Sequence, residues 1–320
     1  MAYSPPAVNE FWHIAFAEET TYKTAIAIAS VTKWIGILDE DQTLPQAQPE
    51  YTQYYGGGNA KPITTVQGKT LYDGKIKWKV QNGQLFKQMM GKVVDAGVGP
   101  YTHTYSTGTA AERPLPSITL AYWFDRNGNG IVDSTDICGL ASGVKLGKFT
   151  LSFDQGQALM CEADIKAVLV AKQSTFPAQS VITTKPYMMK HVGSITVGGV
   201  TTARIMSGSI GVDQALKDFE YGQETPYEHV EGKIVFDASF TLVIENDSLW
   251  TLALADPTVA MTVSLTFTRG TNDTLAITLT NAYPALEVKK GAENVVEGDV
   301  KFTYEDISIV ITDSNATYPI

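Results

Sequence analysis

The sequence predicts an all-β fold with short helices, built as two tandem β-sandwich or barrel units in one chain. Three observations lead to this prediction. Apolar and polar residues alternate over long stretches, one such stretch recurs later in the chain, and the strands that follow it recur in the same order. With 320 residues, of which 44% are hydrophobic, the chain can bury a sizeable core.

The clearest repeat aligns residues 66–91 with residues 230–255 without a gap. At ordinary composition, chance would leave about one or two identical residues over this length. The observed identities are Val66/Val230, Gly68/Gly232, Lys69/Lys233, Asp73/Asp237, Asn82/Asn246 and Leu85/Leu249. Duplication of one β-rich unit is the simplest interpretation, and coincident strand patterning is the alternative.

Each copy of the repeat begins with the alternation that is typical of a half-buried strand. The apolar positions are Tyr72, Ile76, Trp78 and Val80 in the first copy, and Phe236, Ala238, Phe240, Leu242 and Ile244 in the second. Asn82 and Asn246 then stand where a helix N-cap is expected, and we predict a short helix after each.

The strands after the repeat keep their order in both halves. One strand is predicted at residues 118–124 and its counterpart at residues 263–269. The sequence Glu-x-Asp-(Ile/Val)-Lys then opens a closing strand at residues 162–166 and again at residues 297–301. Each half is therefore expected to form a small sandwich or barrel.

These elements divide the chain into a first unit at residues 1–172, a linker at residues 173–190 and a second unit at residues 191–320. The linker is polar and contains two prolines. Within the first unit, residues 39–62 are rich in Gln, Pro, Tyr and Gly and have no periodicity. This composition predicts a long loop, or an arm that becomes ordered against a neighbour.

Residues 125–136 carry oxygen-bearing groups at the spacing of a calcium loop. The predicted ligands are Asp125, Asn127, Asn129, the backbone carbonyl of Ile131, Asp133 and Asp136. The terminal Asp resembles the loops of dockerin modules. Calcium is therefore the cofactor that the sequence predicts, as a local clamp on an insertion in the first unit. The alternative is a turn rich in Gly and Asn that needs no metal.

Composition and missing motifs argue against several classes of function. A net charge of −10 disfavours a nucleic-acid binder. We find no apolar run of membrane-spanning length and no signal-peptide pattern. Cys138 and Cys161 are interpreted as free thiols. The four histidines lack metal-site spacing, and phosphate-loop, dinucleotide and serine-elbow motifs are missing, so we predict that the chain is not an enzyme.

Several short sequences follow one another in a characteristic order. They are TTYKT at residues 20–24, the strand and helix at 69–91, PYTHT at 100–104, LPSIT at 115–119, NAYP at 281–284 and EGDVKFT at 297–303. In this order, and over nearly the whole chain, they resemble the tail tube proteins of long-tailed, siphovirus-like bacterial and archaeal viruses, in a duplicated-domain form.

The resemblance implies a structural virion protein, the major tail tube subunit, whose stacked rings surround a channel for DNA passage. Many relatives with one unit form hexamers, so a duplicated chain implies a homotrimer ring that is a pseudo-hexamer, with a true hexamer as the alternative. The implied partners are further copies, the tape measure, tail terminator and distal tail proteins, and viral DNA that passes an acidic inner wall without specific binding. No membrane is expected, and the implied location is the virion tail, with the host cytoplasm during assembly.

A second hypothesis is a secreted or surface β-sandwich that depends on calcium and mediates adhesion or binds carbohydrate. The dockerin-like loop and the exposed aromatic residues favour this module, whereas the missing signal peptide argues against it. An enzyme is the third hypothesis. The chain contains pairs of Glu and Asp residues, and glycosidases use such a pair of carboxylates.

Overall fold

The computed structural model describes residues 12–39, 42–55, 61–109, 114–177, 182–198, 200–202, 205–220, 222, 225–243, 260–290 and 296–315. Nearly all regular structure in these residues is antiparallel β-sheet, which confirms the predicted all-β class.

The strands are β1 (Trp12–Glu18), β2 (Lys33–Trp34), β3 (Gln48–Tyr54), β4 (Thr64–Lys79), β5 (Gly91–Ala96), β6 (Tyr101–Thr107), β7 (Ile118–Phe124), β8 (Ile137–Asp154), β9 (Met160–Ala167), β10 (Leu169–Lys172), β11 (Val192–Val197), β12 (Val200–Thr202), β13 (Ile205–Asp213), β14 (Lys217–Phe219), β15 (Glu228–Val230), β16 (Val235–Val243), β17 (Met261–Gly270), β18 (Asp273–Lys290), β19 (Val296–Thr303) and β20 (Asp306–Asp313). The helical elements are α1 (Phe86–Met90) and two 3-10 turns, Ile28–Ser30 and Met189–His191.

Three sheets contain all of these strands except β3, which pairs with β4, and β14 and β15, which pair with each other. The central sheet has the order β4–β9–β8–β13–β16–β19–β18. The first outer sheet has the order β2–β1–β7–β8–β10, and the second outer sheet has the order β12–β11–β17–β18–β20–β6–β5. Strands β8 and β18 each have 18 residues, long enough to leave an outer sheet and continue into the central one.

Alternation along its strands gives the central sheet one apolar face and one polar face. On β8, Phe149, Leu151 and Phe153 are buried, as the period of two requires. The ring of Phe153 lies 6.0 Å from that of Phe240 on β16 and 6.0 Å from that of Phe267 on β17. The apolar face therefore packs against the second outer sheet, and one hydrophobic cluster includes residues from both halves of the chain.

The two halves of the chain repeat the same strand pairings. The pairings β1–β2, β1–β7, β7–β8, β8–β9, β4–β9 and β8–β10 correspond to β11–β12, β11–β17, β17–β18, β18–β19, β16–β19 and β18–β20. The registers differ, because Lys75 lies opposite Asp164 whereas its sequence counterpart Ser239 lies opposite Lys301. A shift of two residues leaves every side chain on its own face of the sheet. The architecture is compatible with two tandem units.

The predicted first helix is shorter than expected and begins later. Helix α1 follows Leu85, which has a left-handed backbone with φ of 69°. Leu85 occupies the N-cap position, and no side chain makes a capping hydrogen bond there. The Asn82 side chain instead accepts a hydrogen bond of 3.1 Å from the backbone N–H of Gln84, so it closes a local turn. The prediction of Asn82 as an N-cap is therefore wrong. The second predicted helix, after Asn246, lies outside the described residues.

The segment predicted as a long loop, residues 39–62, contains a strand. Strand β3 pairs with the first part of β4, and both are exposed along most of their length. The lack of alternation that indicated a loop reflects this exposure, because a hairpin with two solvated faces needs no apolar side. This hairpin, β3 with residues 64–71 of β4, is hereafter called the arm.

The predicted linker packs against both halves of the chain where it is described. Tyr187 is fully buried, and its backbone N–H donates to the carbonyl of Val80. The backbone N–H of Leu159, also in the first half, donates to the carbonyl of Tyr187. The hydroxyl of Tyr187 donates to Asp273 of the second half at 2.8 Å. Of the described helices, none combines the length and apolar character that crossing a membrane requires.

Candidate functional site

The polar face of the central sheet is a continuous polar surface that extends over β4, β9, β8, β13, β16 and β19. Its acidic residues include Asp73, Asp154, Glu162, Asp164, Asp213, Asp237 and Asp299, and its basic residues include Lys75, Lys77, Lys148, Lys166 and Lys301. Between the charged flanks, β8, β13 and β16 present serines and threonines, with Ser209 and Ser239 3.0 Å apart through their hydroxyls. The face carries both signs of charge and is not uniformly acidic.

Several lysines of this polar face contact carboxylates. The Nζ of Lys75 lies 2.6 Å from Glu162, and the Nζ of Lys77 lies 2.6 Å from Asp39. Lys166 lies 3.3 Å from Asp73 on the neighbouring strand. These pairs are partly exposed, so each contributes little to stability. Their main consequence is local neutralisation, because each cation has an anion within contact distance.

The arm exposes aromatic and aliphatic side chains. Tyr51 is 60% exposed and Tyr54 is 55% exposed, and Ile63 and Val66 are exposed as well. A two-stranded hairpin is marginally stable in water when it packs against nothing. Exposed apolar groups on such a hairpin indicate a surface that contacts a partner.

The predicted calcium loop is a tight turn held by its own side chains. The carboxylate of Asp125 accepts backbone N–H groups of Gly128 at 2.7 Å and Gly130 at 2.8 Å. Asp136 accepts the indole N–H of Trp123 at 3.2 Å and the backbone N–H of Asp133 at 3.0 Å. Both Asp125 and Asp136 are buried, so these bonds satisfy carboxylates that water reaches poorly.

The other side chains of the loop also bond within it. The Nδ2 groups of Asn127 and Asn129 donate to Asp133 at 2.8 and 3.0 Å, while their Oδ1 atoms accept backbone N–H groups. Hydrogen bonds from Thr135 and from these amides lower the pKa of Asp133 to about 2. Ile131, the predicted carbonyl ligand, has an exposed side chain. Among the described residues no group of three His, Cys, Asp or Glu side chains converges as a metal centre requires.

Comparison with known proteins decides the family. The family model for phage tail tube proteins matches residues 13–309. The chain belongs to the phage tail tube protein family. A search of curated proteins finds no match. The match spans both halves, the arm and the predicted calcium loop.

Membership of the tail tube family confirms the structural role that the sequence predicted. Tail tube proteins are virion components, so the chain is a structural protein of the virion tail that assembles with itself and with other tail proteins. The family is not an enzyme family. It does not favour the secreted adhesion or carbohydrate-binding module that was the second hypothesis.

Two residue types singled out in the sequence have structural roles in this tail tube protein. His103 is fully buried on β6, with Nδ1 2.6 Å from Asp95 and Nε2 2.9 Å from the carbonyl of Asn315. It joins β6 to the end of β20 as a packed, hydrogen-bonded histidine, consistent with the lack of metal-site spacing among the histidines. Cys138 and Cys161 are buried free thiols, as predicted, and burial raises the pKa of Cys138 to about 11.

Sequence reasoning missed the strand that joins the two halves of the tail tube protein. Strand β13 pairs with β8 on one side and with β16 on the other. Its sequence, IMSGSIGVD, is rich in small residues and lies outside the aligned repeat, so the repeat gave no indication of it. The alternation of Ile210 and Val212 with polar residues was the available signal.

Proposed function

We propose that this tail tube protein forms rings of three copies, each copy supplying two of six similar units, and that the rings stack around a channel for DNA. The observation that carries the proposal is the repeated set of strand pairings in the two halves. Gene duplication accounts for that repetition together with the sequence identities. A ring of six similar units then needs three chains.

The central sheet is the proposed wall of the channel, with its polar face toward the DNA. DNA binds proteins chiefly through phosphates and unpaired basic side chains. On this face Lys75, Lys77 and Lys166 each contact a carboxylate, and the middle strands present hydroxyl groups. Such a surface attracts phosphates weakly, so DNA can pass without being held. With carboxylate contacts at three of the five lysines named on this face, we propose a wall of mixed charge in place of the acidic wall expected from the sequence.

The arm is the proposed contact between successive rings. It combines exposed Tyr51 and Tyr54 with a strand, β3, whose one pairing partner in the described part of the chain is β4. Packing the arm against the next protein ring would bury the two tyrosine side chains. The same contact would stabilise the hairpin.

Electron microscopy of the purified protein tests the ring directly. We expect hollow tubes or rings in negative stain, and class averages of end-on views with threefold symmetry. Native mass spectrometry of isolated rings should give three chains of 34.7 kDa each. A ring of six chains would contradict the proposal that one chain supplies two units, and a persistent monomer at high concentration would contradict ring formation itself.

We also propose that the loop at residues 125–136 takes up calcium. Its oxygen donors suit a hard cation, although binding would require the amides of Asn127 and Asn129 to release Asp133. Calcium in millimolar excess is then expected to raise the melting temperature by about 2 °C or more relative to EDTA, because a ligand of the native state stabilises it. Asp133→Asn should remove the response. Superimposable melting curves in calcium and EDTA would leave the loop as a turn without metal.

A further inference from the structure

We propose that neighbouring copies join by antiparallel pairing between β18 of one copy and an edge segment of the next. The edge segment comprises residues 37–39 and 42–43. These described residues lie beside β4, on the side away from β9. This inference rests on the proposed ring and names the two surfaces that close it. The partner is a second copy of this chain.

The junction between the two halves inside one chain is the template. There β8 pairs with β13 over Lys148–Asp154 and Ser207–Asp213, with Ser209 opposite Ser152 and Asp213 opposite Lys148. The last central strand of the first half thus meets the first central strand of the second half. A ring of similar units needs the same kind of junction where one chain ends and the next begins.

The edge segment occupies in the first half the place of β13 in the second. Strand β13 follows β12 and lies beside β16, and the edge segment follows β2 and lies beside β4. The backbone N–H of Asp39 donates to Lys77 at 2.9 Å, and that of Lys79 donates to Ile37 at 2.8 Å. At Gly74 on β4 an added Cβ would lie 2.5 Å from the carbonyl oxygen of Thr43, so the strand needs glycine where the segment crosses it.

Strand β18 occupies in the second half the place of β8 in the first. Both run from an outer sheet into the central sheet and pair there with the closing strand of their half, β19 or β9. The other side of β8 pairs with β13, but no strand in the described part of the chain pairs with the other side of β18 beyond residue 282. Pro284 donates no hydrogen bond, so pairing is expected from Ala285 onward.

Both surfaces have the properties of sheet edges that are covered on assembly. An uncovered edge presents unpaired backbone groups and promotes uncontrolled association, which ring closure prevents. Ile37 on the edge segment is 43% exposed, although it is a large aliphatic residue. The two surfaces differ from each other, so the contact is head-to-tail, and a head-to-tail contact closes into a ring when the rotation permits.

The edge segment is also less regular than β13, which makes the proposed contact distinct from its internal template. The side-chain amide of Gln42 donates to the carbonyl of Lys77 at 2.6 Å and accepts the backbone N–H of Lys77 at 3.2 Å. It thereby takes the place of one backbone unit beside β4. The register with β4 differs by two residues between the bridges Leu38–Trp78 and Thr43–Lys75, so the pairing with β18 is expected to be shorter than that between β8 and β13.

Thiol cross-linking of assembled tubes tests the pairing. Cysteines are introduced at Ala285 together with either Ile37 or Thr43, and tubes are treated with a short bis-maleimide that tolerates a small shift in register. We expect covalent dimers and trimers on denaturing gels from at least one of the two variants. The native cysteines are 4% and 0% exposed and should not react. The control variant combines Ala285→Cys with Val98→Cys, because Val98 is 99% exposed but lies at the tip of the β5–β6 hairpin.

The outcomes separate this inference from the proposed ring. Tubes that form normally but give only monomer with both test variants would overturn the pairing and leave the ring standing. Trimers that appear with the control variant as strongly as with the test variants would overturn it as well. Protein that never assembles, even without substitutions, would contradict the proposed function itself.

Discussion

Replacing Lys145 with Met is expected to lower the free energy of unfolding by about 3–5 kcal/mol, because it leaves a buried carboxylate without its cation. Lys145 lies on β8 and is 1% exposed. Its Nζ donates to Glu231 and to the carbonyl of His229, both at 2.8 Å, and lies 5.2 Å from the ring centre of Tyr22. The ion pair ties the hairpin of β14 and β15 to the first half of the chain.

Chemical denaturation of four variants, Lys145→Met, Glu231→Gln, the double variant and Lys148→Met, measures this effect. Lys148→Met is the matched control, because Lys148 lies on the same strand but is exposed, and we expect a change within about 0.5 kcal/mol. The double variant Lys145→Met with Glu231→Gln should lose less free energy of unfolding than the two single variants lose in sum, since it leaves no unpaired charge. Equal stabilities of Lys145→Met and Lys148→Met would show that the buried pair contributes nothing.

Replacing Arg269 with Met is expected to lower the free energy of unfolding by about 2–3 kcal/mol, since charge-assisted hydrogen bonds are stronger than those between neutral groups. The guanidinium holds Asp273 through two bonds of 2.7 and 2.9 Å and donates to the carbonyl of Gln81 at 3.0 Å and to that of Lys185. It also lies 4.1 Å from the ring centre of Tyr187. One side chain of the second half thereby fastens the linker and the end of β4.

The effect of Arg269→Met should appear in assembly as well as in stability. Loss of this clamp loosens the linker and the chain just after β4 from the second half, so tubes should form more slowly or in lower yield. Arg126→Met is the control, because Arg126 is exposed on the loop after β7. Unfolding midpoints and light scattering during assembly give the two readouts. A variant that matches the original protein in both would contradict the role of the clamp.

The predicted strands show how far local pattern carries the fold. The strand at residues 118–124 was predicted with its observed bounds, and the strands at 263–269 and at both closing motifs also formed. These stretches alternate or are continuously apolar, so burial against a sheet leaves one solution. Residues 39–62 lack such a pattern, and β3 forms there because β4 offers it a partner. Pairing of that kind depends on another part of the chain.

The loop at residues 125–136 shows a different limit. Spacing alone identifies oxygen-bearing side chains at calcium-loop positions, but it cannot say which atoms those side chains face. In the structure the amides of Asn127 and Asn129 turn their N–H groups to Asp133, and the carboxylate of Asp125 accepts backbone N–H groups. The same residues therefore satisfy one another as a turn, and metal binding stays a prediction.

The sequence by itself determined the all-β class, the repeat and the family, because alternation and repetition are properties of the chain read along its length. Only the tertiary structure decided how the halves meet. Strand β13 joins them through β8, while the edge segment and β18 remain as the outer limits of the central sheet in the described residues. Strand order is set by contacts between residues far apart in sequence, and a repeat of local patterns contains no record of them.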